Sequence, residues 1–225
     1  MSEKLSLQSL PLFPLGSVLF PGGLLPLRIF EVRYLDMIGK CHRHNVPFGV
    51  VSLIEGSEVR KPARAAEERA GTPSEDGFAV EVFNTVGTLA LISEFSAPHP
   101  GLMMVRCTGQ QRFTITRREK LKHGLWVADV QCVPDDQSIA IPDDLKPAAD
   151  ALGGVIKALQ ARAMPADQMP MLPPYHLEDC TWVANRWCEL LPMAPDAKQR
   201  LMALDNPLLR LELVSDMLAR AGIVK

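Results

Sequence analysis

Few residues in this chain have the types and spacing that catalysis or metal binding requires. Ser17 follows Gly16 but lies outside any G-x-S-x-G elbow, so a turn serine is the simpler interpretation. The run Cys41-His42-Arg43-His44 contains zinc ligands, yet its spacing matches no standard finger and no second cysteine pair follows. His176 and Cys180 lie four residues apart, as paired ligands on a helix do, but the sequence offers no third partner. We therefore predict no catalytic residue, no metal and no cofactor.

The sequence also lacks features that bind nucleotides or nucleic acid. No G-x-x-x-x-G-K-[ST] phosphate loop is present. The net charge is −2, and neither half of the chain is strongly polarised. One short basic run, at residues 117–122, is explained by a solvated hairpin tip. Nucleic acid is a disfavoured partner, and RNA binding stays an alternative because Arg112-Phe113, Trp182 and Trp187 could stack on bases.

The composition is that of a globular protein, with 47% hydrophobic and 22% charged residues. Its five cysteines are odd in number, widely spaced and set among apolar neighbours. This arrangement favours buried reduced thiols over a disulfide framework, and it predicts a cytoplasmic protein.

The stretch LPLFPLGSVLFPGGLLPLRIF, residues 10–30, is apolar enough to raise the question of a membrane or export segment. Four prolines and three glycines interrupt it, and each interior proline costs a helix roughly 3 kcal/mol. Alternating residues before and after Pro21-Gly22-Gly23 instead predict a strand, a bend and a strand. We expect irregular edge strands that wrap a small barrel, and no membrane partner.

The periodicity of the apolar residues and the positions of turn-forming residues divide the chain into two parts. Further β-strands are predicted at residues 48–54, 80–82, 86–95, 102–107, 112–116 and 125–133, with a short helix at 31–44 and a turn at Thr108-Gly109. A charged loop at residues 55–77 has little to bury and is predicted to be disordered. Helices are predicted at about residues 145–159, 177–191 and 195–204, and a last one begins at Asn206-Pro207.

These elements predict an α+β protein with two subdomains. Residues 1–135 should form a mostly antiparallel β pseudo-barrel with one short helix, and residues 136–225 a C-terminal α-helical bundle. At 225 residues, either one large domain or two small ones would be expected from length alone.

Several segments resemble one family in order along nearly the whole chain. The opening stretch is similar to the start of the N-terminal, substrate-binding domain of the ATP-dependent Lon proteases. Val86–Ile92 resembles the Gly-Thr strand of that family, and Gly101–Ile115 its Gly-x-x-Arg-Phe hairpin. The matching single residues are Pro11, Pro14, Leu15, Phe20, Pro21, Pro26, Leu27, Gly109, Arg112, Phe113, Leu191, Pro192, Arg210 and Leu211.

The resemblance implies a PUA-like barrel followed by a helical bundle, as a free-standing copy without the ATPase and peptidase domains of Lon. It further implies a non-enzymatic domain that recognises polypeptide, either unfolded chains or a partner protein. Such a domain should offer an exposed apolar groove or a free sheet edge.

We predict the groove residues to be Leu24, Leu25, Phe30 and Tyr34, with Arg33 at the rim. The alternative for each is a place in the core. The competing functions are a small-molecule or RNA-binding barrel, and a hydrolase with its site in the cleft between subdomains. The sequence does not specify the oligomeric state.

Overall fold

The computed structural model describes residues 5–56, 58, 80–165 and 168–224. It divides into two compact units, Met1–Pro134 and Asp135–Lys225. The predicted α+β class is confirmed. The predicted charged loop at residues 55–77 lies for the most part outside the described residues.

In the described part of the chain, the first unit consists of a seven-stranded sheet and one helix. The elements are β1 (Ser6–Leu15), β2 (Leu24–Ile29), α1 (Val32–His44), β3 (Phe48–Glu55), β4 (Val82–Phe83), β5 (Val86–His99), β6 (Leu102–Lys120) and β7 (Trp126–Cys132). The strand, bend and strand predicted for the opening stretch are therefore present.

The sheet closes on itself. Antiparallel pairs connect β1 to β7, β7 to β6, β6 to β5 and β5 to β3. A parallel pairing of β1 with β3 completes the ring, with Leu12 opposite Gly49 and Leu15 opposite Ser52. Closure gives these strands partners on both sides, so β1 lies within the wall. The expectation that the opening stretch forms edge strands is wrong for β1, whereas β2 has β6 as its only strand partner among the described residues.

The remaining two strands are additions to this ring. β4 pairs with β3, and β2 pairs with the first part of β6. β7 pairs with the second part of β6, so β2 and β7 lie one after the other along the same edge of that long strand.

The long strand β6 corrects the sequence prediction. Two strands separated by a turn at Thr108-Gly109 were expected, but β6 runs without a turn from Leu102 to Lys120. Gly109 is instead a point of close contact with the bend between β1 and β2. Its N–H donates to the Gly23 carbonyl and its carbonyl accepts from the Gly22 N–H, each at 2.8 Å. A Cβ on Gly109 would lie 2.2 Å from the Phe20 carbonyl oxygen, so only glycine fits there.

Alternation along the strands divides the apolar side chains of this unit between two clusters. One contains Leu12, Val51 and Phe113. The other, which we call the α1 cluster, contains Phe13 and Val50 together with the buried face of α1, including Tyr34 and Ile38. The α1 helix is therefore held on the sheet by its predicted apolar face.

The second unit is helical. After a 3₁₀ turn at Asp143–Leu145, it consists of α2 (Lys146–Ala161), α3 (Cys180–Leu190), α4 (Pro195–Ala203) and α5 (Pro207–Arg220). Asn206 caps α5 as predicted, with its Oδ1 accepting from the Leu209 N–H at 3.1 Å. The predicted start of α3 at about Leu177 is displaced to Cys180 because Asp179 caps that helix at the Trp182 N–H.

Arg210 connects several segments of the helical unit through hydrogen bonds. This side chain is 1% exposed. It donates to the carbonyls of Leu201 and Leu204, to Asn185 Oδ1 at 3.0 Å and to Asp136 Oδ2 at 2.7 Å. A buried guanidinium with this many acceptors has a structural role.

Candidate functional site

The first unit contains an apolar groove where three elements meet. We call it the β1–β2 groove. It has a volume of about 270 Å³ and is lined by the end of β1, by β2 and by the start of α1. Its lining residues are Phe13, Leu15, Pro26, Leu27, Arg28, Ile29, Phe30, Glu31, Tyr34 and Glu58.

The floor of the groove is aromatic and fixed. The rings of Phe13 and Tyr34 stack with their centroids 4.1 Å apart and their planes 18° from parallel. Ile29 and Tyr34 are each 2% exposed, so their positions are set by the core. A floor packed in this way presents a preformed apolar surface to a ligand.

Large apolar side chains are exposed at the groove and next to it in the chain. Phe30 is 53% exposed at the groove, and Val32, two residues further on, is 81% exposed. Pro26 on β2 is also exposed. Large apolar side chains that lie together on a surface are typical of an interaction site, whereas scattered ones are not.

Arg33 is buried rather than placed at the rim. Its guanidinium donates to Glu31 at 3.0 Å, to Glu81 at 3.2 Å and to the Gly124 carbonyl at 2.9 Å. Glu81 in turn accepts from the Trp126 indole N–H at 2.8 Å. The ion pair thus connects the start of α1 to the β6–β7 hairpin, which gives Arg33 a structural role in this conformation.

The other predicted groove residues divide between core and surface. Leu24 and Leu25 are half-buried, and Leu25 packs against the α1 cluster. Tyr34 belongs to the core but lines the groove from below, while Phe30 lies at the open rim. Their role in binding stays a prediction.

Sequence reasoning missed Phe13, Pro26 and Val32. Strand alternation could have placed Phe13 beside Leu15 on the α1 side of β1. Nothing local in the sequence distinguishes an exposed Val32 from a buried one.

The residues considered for metal binding or catalysis are dispersed. Cys41 packs in the α1 cluster and His42 stacks on Phe95, with ring centroids 4.2 Å apart. In the described ranges, no group of three His, Cys, Asp or Glu side chains is arranged to hold a metal ion.

The predicted burial of all five cysteines is confirmed. Burial raises the pKa of Cys41 to about 11, and burial raises those of Cys107 and Cys188 to about 12. These thiols are therefore protonated at neutral pH and poor nucleophiles.

The basic run at residues 117–122 is largely engaged by its neighbours. Arg117 pairs with Glu119 at 3.5 Å, and the Arg118 guanidinium lies 4.8 Å from the centre of the Phe83 ring. Lys120 approaches Glu81 at 3.7 Å and the Trp126 ring at 5.6 Å. This pattern favours a structural role for these charges over a phosphate-binding surface.

Two further cavities differ in character from the β1–β2 groove. One of about 270 Å³ is polar, and Ser9, Arg117 and Asp129 are among its lining residues. One of about 650 Å³ lies in the helical unit along α2, between residues such as Ala149, Ile156 and Leu177. The first cavity is polar and the second is lined by helical residues and loops, whereas the β1–β2 groove combines an aromatic floor with the strand β2, so it is the better candidate for binding an extended chain.

Among the described residues, no helix combines the length and the apolar character that crossing a bilayer requires.

Comparisons with known proteins agree with this architecture. The model of the family described as the ATP-dependent protease La (LON) substrate-binding domain matches residues 9–220. No curated protein matches the chain.

Two solved structures are similar over most of the chain. One is a Lon N-terminal domain protein from Xanthomonas campestris, with 28% identity, a TM-score of 0.69, and coverage of 93% of this chain and 98% of that one. The other is the N-terminal domain of a Mycobacterium avium complex Lon protease, with 16% identity, a TM-score of 0.56, and coverage of 93% and 97%. The second likeness concerns the fold alone.

Proposed function

This chain belongs to the family of LON substrate-binding domains, and on that premise we propose that it binds apolar segments of unfolded chains or of a partner protein in the β1–β2 groove. The observation that carries the proposal is the exposed Phe30 in the lining that also contains the fixed Phe13–Tyr34 floor, with the exposed Val32 two residues further along the chain.

The composition of the groove suits binding rather than chemistry. None of its lining residues is a serine, cysteine or histidine. Its carboxylates are engaged, Glu31 with Arg33 at 3.0 Å and Glu58 with the Gly16 N–H at 2.6 Å. A hydrolase would need a nucleophile within reach of a base, and the groove offers no such pair.

The apolar area at the rim sets the scale of the affinity. Burying the exposed parts of the Phe30 and Val32 side chains would contribute roughly 1–2 kcal/mol each. Association and the ordering of a flexible chain offset much of this gain. We therefore expect affinities on the order of micromolar for a single segment.

Substitution of the rim tests the proposal. A permanently unfolded, reduced and carboxymethylated globular protein is titrated against the full chain and binding is followed by calorimetry. Phe30→Ser should weaken binding by about tenfold and Val32→Ser by less. The matched control is Leu213→Ser in the helical unit, where an apolar side chain of intermediate size is 40% exposed. The proposal fails if the protein shows no binding at micromolar concentration, or if all three variants bind as the unsubstituted protein does.

A further inference from the structure

The outer edge of β2 has no strand partner among the described residues. β2 pairs with β6 from Leu24 opposite Thr108 to Ile29 opposite Met103. β7 follows along the same edge of β6 from Phe113 onward, and β7 pairs with β1 only as far as Leu12. The side of β2 that faces away from β6 is thus left open, and β2 lines the β1–β2 groove.

The hydrogen-bonding pattern between β2 and β6 identifies the backbone groups of β2 that face away from β6. The Gly109 N–H donates to the Gly23 carbonyl. Because backbone groups alternate along a strand, Leu25, Leu27 and Ile29 face β6. Leu24, Pro26 and Arg28 then point their backbone groups away from it. Pro26 has no N–H, and it occupies a position where β6 requires none.

The free edge therefore offers more acceptors than donors. It presents three carbonyls but only two N–H groups, because the central residue is Pro26. An incoming segment must bring N–H groups of its own. The proline also makes the edge a poor template for unspecific pairing.

One side chain of the groove lining, Arg28, can pair with a single acidic side chain of a ligand. No ion pair joins Arg28 to another described residue, and its side chain is exposed. Of the two lining carboxylates, Glu31 is paired with Arg33, whereas Glu58 accepts from the uncharged Gly16 N–H and keeps its charge. Arg28 is the positive charge of the lining that an acidic side chain of a ligand can neutralise.

Resting on the proposed function, we propose that the β1–β2 groove binds its polypeptide as an extended strand added antiparallel or parallel to the free edge of β2, with apolar side chains over the Phe13–Tyr34 floor and an acidic side chain against Arg28. Main-chain hydrogen bonds to the Leu24, Pro26 and Arg28 carbonyls contribute part of the affinity. The floor and Arg28 give selectivity.

Backbone methylation tests the strand geometry. The probe is a short fluorescein-labelled peptide of alternating valine and serine with one central aspartate, read by fluorescence anisotropy against the full chain. Two further versions carry N-methyl groups on alternate residues, one on the valines and one on the serines. Valine alternation fixes which face meets the floor, so only one set of N–H groups can point to β2.

We expect one methylated version to lose at least about tenfold in affinity and the other to bind within about threefold of the unmodified peptide. Equal effects of the two methylations would overturn strand addition while leaving the proposed function intact. Absence of binding by the unmodified peptide and by the unfolded protein alike would overturn both.

A charge exchange tests the role of Arg28. Arg28→Glu should weaken binding of the aspartate peptide by about tenfold and strengthen binding of a version in which lysine replaces the aspartate. The control is Arg117→Glu, which changes an exposed arginine outside the groove. Weakening of both peptides by Arg28→Glu would contradict the assigned contact. Dimerisation of the protein alone that is lost in Phe30→Ser would assign the groove to a second copy of the chain and overturn the proposal.

Discussion

At the scale of single residues, the buried charges distinguish structural roles from binding roles. The side chains of Arg33 and Glu81 are each only 4% exposed. A buried pair of this kind is destabilising when one partner is removed, because the other charge is left without compensation. Arg33 is predicted from the sequence to lie at the rim of a groove, whereas its contacts bury it.

Arg33→Met should lower the free energy of unfolding by roughly 3–5 kcal/mol, as measured by urea denaturation. Replacing both partners, as in Arg33→Met with Glu81→Leu, should recover part of that loss. If Arg33→Met instead left stability unchanged and weakened peptide binding, Arg33 would be a rim residue, as predicted from the sequence.

Glu189 gives the helical unit a pH dependence of a definite sign. Burial raises the pKa of this carboxyl to about 7, although Arg186 at 2.8 Å and Lys198 favour its charged form. The folded protein therefore holds the proton more tightly than the unfolded chain. The resulting stabilisation is complete below the unfolded pKa and is lost as pH rises through about 7.

The difference in stability between the unsubstituted protein and Glu189→Gln should isolate this effect. Because 20% of the side chain stays accessible, we expect the unsubstituted protein to lose roughly 1–2 kcal/mol relative to the variant between pH 5 and 8. Urea denaturation over that range provides the measurement. A difference that stays constant with pH would show that Glu189 is already ionised in the folded state at pH 5.

At the scale of elements, β6 is the clearest departure from sequence-based expectation. A glycine after a threonine within an apolar series is a normal turn signal. Here the same glycine lies inside a strand, because the Phe20–Gly23 bend packs against it at backbone distance. Such a contact joins residues almost ninety positions apart, and no local pattern contains it.

Gly109→Ala should therefore destabilise the first unit by roughly 2–3 kcal/mol, since the added methyl group meets a backbone oxygen that cannot move aside easily. Gly154→Ala is the matched control. Nothing lies within 4 Å of a Cβ at that position in α2, so this change should stabilise the protein by up to about 1 kcal/mol. Thermal denaturation measures both, and equal effects would argue against a close approach at Gly109.

At the scale of the whole molecule, fold class and family were predictable to a large extent. Period-two and helical patterns placed most strands and the four C-terminal helices of the described residues, and Asn206-Pro207 marked the start of α5. Those features depend on neighbours in sequence, such as a cap three residues from the N–H that it accepts. The four prolines of residues 10–30 likewise excluded a membrane-spanning helix by local geometry alone.

The sequence by itself thus determined the positions of most strands and helices, though not the continuity of β6, and the family to which the chain belongs. The tertiary structure decided the parallel closure of β1 on β3, the burial of Arg33, the exposure of Val32 and the free edge of β2. The physical reason is that alternation along a strand fixes two faces but not what covers them. Coverage depends on pairings between residues far apart in the chain, and these alone leave an apolar groove open beside β2.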